Sequence, residues 1–371
     1  MEVRVCTDWD FRNSFGDMNS AQSTEMPRGI DAERVNAWFA GSVPAALPPL
    51  SYSLVAGGRS NLTYVATDSR GERFVLRRPP TGHLLPKAHD MHREHRIISA
   101  LGPAGIPVPP ALGLCEDPEV TGAPFYVMGF VDGVIARNED DVAALLDQDA
   151  REKVSFALID TLADIHMVDP DAVGLGELGR KDGYIARQLS RWYSNYKAAN
   201  DGRGGTPLAS MDSLHSRLAA SIPDQARSGI VHGDYRLDNC VVSPDGQRVR
   251  AVLDWELCTL GDPLADLGQL LSYWPEPGER SALGHAATAM PGFASRDQLV
   301  RRYGERTGVD LSALGFYVAF AYWKLACILE GVYARYLGGA MGDDGFDFSS
   351  YPDSIAWLAQ RSEQAADEVG I

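Results

Sequence analysis

The spacing of hydrophobic and polar positions changes character several times along the chain. From Asp31, read as an N-cap, "AERVNAWFAG" sets its apolar residues at helical intervals and stops at Gly41. Next, "LSYSLVAGG", "NLTYVATD" and "RFVLRRP" alternate or cluster β-branched and aromatic residues between Gly, Asn, Asp and Ser, which predicts an antiparallel meander. In "PKAHDMHREHRIISALG" the period returns to that of a helix, with Met91, His95, Ile98 and Leu101 on one side and Gly102 as the stop. "APFYVMGFVDG" predicts a strand running into a turn. Up to about residue 132 the pattern therefore predicts a small antiparallel sheet carrying one helix, an α+β lobe.

Beyond Gly133 long helical patterns dominate: "REKVSFALIDTLADIHMVD", "YIARQLSRWYSNYKAA", "PLASMDSLHSRLAASI", "RDQLVRRYGERTG", "LSALGFYVAFAYWKLACILEGVYARYLGG" and a last helix near 353–368. Only short β-type runs interrupt them, around Ile230–Val231, Cys240–Val242 and Val249–Leu253. The expected organisation is an arm over residues 1–28 with no ordering pattern, a first lobe over 29–132, and a larger, mainly helical lobe over 133–371. No internal repeat or low-complexity tract is present.

Composition narrows the classes of partner. A net charge of −16 argues against a general nucleic-acid or anionic-membrane binder, because such proteins meet phosphates with a basic surface. The five cysteines are odd in number and lack C-x-x-C spacing, which predicts a reducing, cytoplasmic setting without disulfides or structural zinc. "MEVRVCTDWDF" has no secretory pattern. The most apolar helix carries Lys324, Glu330 and Arg335, so it is expected to be buried in protein rather than to span a membrane.

The chemistry concentrates in "IVHGDYRLDNCVV" (230–242), where polar side chains stand between β-branched runs that a packed core would otherwise leave costly. Asp234 and Asn239, five residues apart, suit a loop between two short strands. Asp254, in "AVLDWE", ends the next β-type run 20 residues after Asp234. Three oxygen ligands ending neighbouring strands can converge, and an Asp, an Asn and a second Asp make a hard donor set suited to Mg²⁺. Enzymes that transfer a γ-phosphoryl group use this layout, with one Asp orienting the acceptor hydroxyl and an Asn and another Asp holding metal.

These residues, with "GDPLADLG" (261–268) following, resemble the aminoglycoside phosphotransferase family, a branch of the protein-kinase-like fold whose loop reads H-G-D-x-x-x-x-N. The resemblance implies a bilobal α+β architecture. It implies Asp234 as catalytic base, Asn239 and Asp254 as Mg²⁺ ligands, His232 as a structural residue, and Asp262 and Asp266 as braces of the site and caps of a helix beginning near Pro263. It also implies an ATP clamp in the first lobe. Gly57, Gly58, Ser60 and Asn61 would cover the phosphates and Val75 would line the adenine slot. Arg77 stands where the family has a phosphate-pairing Lys, Glu94 would be its ion-pair partner, and backbone groups near Met128 to Phe130 would face adenine. Arg for Lys is a departure, since a guanidinium is bulkier and forked.

The motifs cover residues of about 45–275, and the family places acceptor recognition in the helices beyond. The acidic "GDDGFDFSSYPD" could receive a cationic sugar but reads as a solvated loop, and the helical aromatics read as core. Within the family, "LRRPP", "HREHRIISAL" and "LDWELCTLGDPLADLG" are most similar to the kinase-like domain fused to some acyl-CoA dehydrogenases and to its free-standing bacterial relatives. The expected function is an ATP- and Mg²⁺-dependent transfer to a hydroxyl of a small molecule, a hydroxyacyl-CoA-type metabolite or an aminoglycoside-like sugar. The alternative, raised by Arg77, is a nucleotide-binding pseudokinase acting as scaffold or sensor.

Overall fold

The computed structural model describes residues 27–55, 61–81, 89–203, 208–282, 284–339 and 347–371. The expected arm up to residue 26, and Gly57, Gly58 and Ser60, lie outside the described residues. The chain forms two compact units, one of residues up to Asp132 together with Arg250–Glu256, the other of Gly133–Val249 and Leu257–Ile371.

In the first unit, α1 (Ala32–Ser42) begins where the Asp31 carboxylate accepts from the Arg34 amide, and it buries Val35 and Phe39. Strands β1 (Ser51–Leu54), β2 (Leu62–Thr67) and β3 (Arg73–Arg78) follow. Helix α2 (Met91–Leu101) is capped by Asp90, and β4 (Ala111–Cys115), the short α3 (Pro118–Thr121) and β5 (Phe125–Gly129) follow. The sheet is antiparallel in the order β1-β2-β3-β5-β4.

Alternation along β3 decides what each face does. Phe74 and Leu76 point to one face and pack with Val35, Phe39, Tyr64, Ala66, Phe125 and Val127 in the core beneath α1. Val75 and Arg77 point to the other face. Arg78, back on the core side, is buried, and its guanidinium donates to the Thr121 carbonyl at 3.0 Å. The strand β4, "ALGLC", has no β-branched residue and is mostly half-buried, so it carries little of the signal that marks the other strands.

The second unit strings together α4 (Glu139–Leu145), α5 (Gln148–Met167), α6 (Tyr184–Arg203) and α7 (Ala209–Ala220). Strands β6 (Gly229–Val231) and β7 (Cys240–Val242) flank the polar loop, and β8 (Val249–Val252) leads into the Arg250–Glu256 segment of the first unit. Strand β9 (Thr259–Gly261) pairs antiparallel with β6, with Ile230 opposite Leu260. Then come α8 (Leu264–Ser272), α9 (Arg296–Thr307), α10 (Leu314–Leu337) and α11 (Tyr351–Glu368). Among the described residues α10 alone is long and apolar enough to cross a membrane, yet 67% of its apolar window is buried inside the protein, where it packs on α6, α8 and α11. At Gly268 a Cβ would come within 2.6 Å of the Tyr317 backbone, so only glycine lets α8 lie this close to α10.

Candidate active site

In the first unit Arg77 is a hub. Its Nε lies 2.9 Å from Glu94 Oε2, and its Nη2 lies 2.8 Å from Asp254 Oδ1 and 3.4 Å from Glu256 Oε2. Burial alone would lower the proton affinity of the guanidinium, but Glu94 foremost, then Asp254, outweigh it and hold Arg77 firmly cationic. Glu94 is 2% exposed, and burial pushes its carboxyl up against the pull of Arg77. The Tyr126 hydroxyl donates to Glu94 Oε2 at 3.0 Å. A planar fork can serve two carboxylates through different nitrogens, which a lysine ammonium at the end of a flexible stem does less rigidly.

Asn61 is engaged at both ends. Its amide donates to Glu94 Oε1 at 3.3 Å and Glu256 Oε2 at 3.1 Å, while its oxygen meets His89 Nδ1 at 2.9 Å. Among the described residues it therefore braces the carboxylates around Arg77. Val75 lies beside Arg77 on the half-exposed face and is registered with Met128 of β5. Met128 sits inside the ladder, also registered with Ala111, and the strand ends at Gly129. The Phe130 ring is capped by the Arg73 guanidinium at 3.9 Å. Asp254 adopts a left-handed backbone, φ 62°, which Asp tolerates better than most residues because its short side chain can bond locally.

In the second unit the loop after β6 hangs from the start of α8. The Asp266 carboxylate accepts the His232 amide at 2.5 Å and the Gly233 amide at 2.9 Å, and His166 Nε2 stands 3.4 Å from it. Burial would raise this carboxyl, yet the hydrogen bond and charge of His166 and the loop amides bring it below its usual value. Gly233 has φ 90°, and a Cβ there would sit 2.9 Å from that of Leu257, so the turn requires glycine. His232 Nδ1 accepts the Asp234 amide at 3.2 Å, a structural role of the expected kind. Asp262 accepts the Leu264 amide at 3.1 Å as the helix begins.

Asp234 emerges from this frame with its side chain 22% exposed, open to an incoming group. The Asn239 amide donates to the Asp234 carbonyl at 2.8 Å and to its Oδ2 at 3.0 Å. Asn239 is fully buried, and among the described residues its Oδ1 has no hydrogen-bond partner. A buried carbonyl oxygen left without a donor is costly, and a hard cation is the partner it suits. Arg236 Nε lies 3.2 Å from both Asp234 Oδ2 and Asp238 Oδ1. Glu256, Arg236, Gln269 and Lys324 join these two clusters although the sequence assigned them no role there; Glu256 and Arg236 lie within the quoted motifs, Lys324 shows only as a charge in an apolar helix, and Gln269 carries no local signal.

A small antiparallel sheet with a buried Arg–Glu pair, followed by a helical unit with an Asp–Asn loop, defines a kinase-like phosphotransferase architecture. Residues 51–299 match the model of the phosphotransferase enzyme family, and the chain belongs to that family. It is 39% identical over 287 residues to acyl-CoA dehydrogenase family member 10 of Mus musculus, covering 76% of this chain but 26% of that protein. The chain thus spans about a quarter of the length of that curated relative. A solved Ralstonia eutropha JMP134 protein assigned to the aminoglycoside phosphotransferases is similar at 32% identity and TM-score 0.73, over 91% of this chain and 98% of that one. Spectinomycin phosphotransferase, solved with ADP and spectinomycin, shares the fold at TM-score 0.56 and 12% identity, over 92% and 99% of the two chains.

Proposed function

We propose that the chain transfers the γ-phosphoryl group of ATP to a hydroxyl of a small molecule. The observation that carries this reading is the loop of the second unit, where a partly exposed Asp234 carboxylate is held by an Asn239 whose own oxygen has no donor among the described residues. Residues 29–132 would bind nucleotide, and residues 133–371 would carry the loop and the acceptor surface.

Asp234 accepts a hydrogen bond from the acceptor hydroxyl and aims its oxygen at the γ-phosphorus. As the new O–P bond forms, the bond to the ADP oxygen breaks and the hydroxyl proton passes to the Asp234 carboxylate. Asn239 fixes the rotamer of that carboxylate through Oδ2, and the hold of Asp266 on two loop amides keeps its backbone in place. Arg77, kept cationic and oriented by Glu94, positions phosphate oxygens, so its replacement of the family's Lys does not by itself argue for a scaffold. Asn239, through its buried Oδ1, would hold Mg²⁺, which would neutralise phosphate charge.

The similarity to acyl-CoA dehydrogenase relatives favours a hydroxyacyl-CoA-type acceptor over an aminoglycoside-like sugar. Incubation with labelled ATP and a panel of hydroxylated acyl-CoAs, sugars and aminoglycosides, read by mass shift, tests it. A phosphorylated product that disappears with Asp234→Asn while ATP still binds is the expected result. ATP binding with no product across the panel and no hydrolysis would favour the nucleotide-binding scaffold.

A further inference from the structure

Helix α10 carries a lysine where its pattern calls for an apolar residue. Lys324 is 5% exposed and stands in a run whose neighbours Trp323, Leu325, Ala326 and Cys327 are all buried. Burying an ammonium is expensive unless it is well partnered. Its Nζ lies 2.6 Å from Gln269 Oε1 and 3.4 Å from the Gly233 carbonyl, with the Trp192 ring at 5.9 Å.

An ammonium only donates, so the Gln269 atom facing it must be the amide oxygen. The NH₂ end is then forced the other way. There its two hydrogens are shared among the Gly233 carbonyl at 3.1 Å, the Tyr273 hydroxyl at 3.2 Å and Asp234 Oδ1 at 3.4 Å. Without the lysine only the acceptors beside the NH₂ end, chiefly the Gly233 carbonyl and Asp234 Oδ1, would resist a 180° turn that puts the amide oxygen against the Asp234 carboxylate. The close approach of α8 and α10 at Gly268 brings the two side chains together.

We propose that Lys324 and Gln269 are positioning residues: Lys324 locks the orientation of the Gln269 amide, which in turn holds Asp234 Oδ1 while Asn239 holds Oδ2. This rests on the assignment of Asp234 as the group that orients the acceptor. Asp266, Asp234 and Arg191 are the charged groups facing the ammonium; burial lowers its pKa to about 8, with the two carboxylates pulling it back up, so at neutral pH it carries its proton.

Selective ¹⁵N labelling of glutamine side chains tests the relay in the full chain without nucleotide or acceptor, the Gln269 signal being assigned by its loss in Gln269→Glu. Asp234→Asn should move the Gln269 amide protons in the otherwise unchanged protein and should no longer move them when Lys324→Met is also present. Should Lys324→Met fail to fold, Lys324→Gln, similar in length but able to accept, is read in the same way. An unchanged response in the folded Lys324 variant, or no response in the parent protein, overturns the proposal. With an acceptor in hand, Gln269→Glu should lower kcat by at least about tenfold and leave the KM for ATP unchanged; an unaltered kcat overturns it as well. If the amide responds as expected but no acceptor is ever phosphorylated, the activity fails and the relay stands.

Discussion

Nε of Arg77 on β3 lies 2.9 Å from Oε2 of Glu94 on α2, and the same guanidinium reaches Asp254 at 2.8 Å. One cation thereby serves carboxylates from two separate stretches of the first unit. Arg77→Met would leave Glu94, Asp254 and Glu256 without their cation, and a loss of about 3–5 kcal/mol of stability is expected, measured by urea denaturation. Arg77→Lys keeps the charge but not the fork; a folded protein whose affinity for ATP falls about tenfold is expected by calorimetry, the loss of roughly one charge-assisted hydrogen bond.

Asn239→Ala removes the hydrogen bonds to the Asp234 carbonyl and Oδ2 together with the unpartnered Oδ1. Turnover should fall, and the Mg²⁺ concentration for half-maximal rate should rise by about tenfold or more, in line with loss of one metal ligand. A rate that responds to Mg²⁺ as in the parent protein would remove Asn239 from the metal assignment.

Asp266→Asn tests the anchor of the loop. The carboxyl is held below its usual value, so it contributes stability at neutral pH that disappears as the pH falls below the ordinary aspartate range, about 4. The difference in unfolding free energy between parent and variant should therefore be largest near pH 7 and shrink toward pH 3. An equal difference at both would mean that the amide hydrogen bonds matter and the charge does not.

Lys324 gives a slope of the same sign at the other end of the scale. Its pKa is lowered from 10.5 to about 8, so between these values the unfolded chain binds more protons than the folded one and stability rises with pH. Comparison of parent and Lys324→Met by urea denaturation at pH 8, 9 and 10 should show a gain in the parent, up to about 3 kcal/mol over the window, that the variant lacks.

The architecture and the loop of the second unit were legible because their signals are local. "HGDYRLDN" packs its chemistry into eight residues, and the periods of β2, β3, α2 and α10 are clear in their own stretches. Strand β4 escaped notice because Gly113 and a half-buried setting leave it no alternation, and β9 because three residues carry no period. The pairing of Lys324 with Gly233 joins positions 91 apart, and that of Gln269 with Lys324 positions 55 apart. In the sequence Lys324 reads only as a blemish in an apolar helix. Asn61 was legible as a polar residue beside a glycine turn, but its partners Glu94 and Glu256 lie 33 and 195 residues away, so its bracing role was not.

The tether between Asp266 and the backbone of His232 and Gly233 has an evolutionary corollary. Because main-chain amides are gripped rather than side chains, the grip asks little of most residues in the loop, and α10 bears on the same loop through Lys324. Outer helix faces can then be rewritten while the Asp234 carboxylate keeps its station, so the scaffold absorbs change around the loop without moving it.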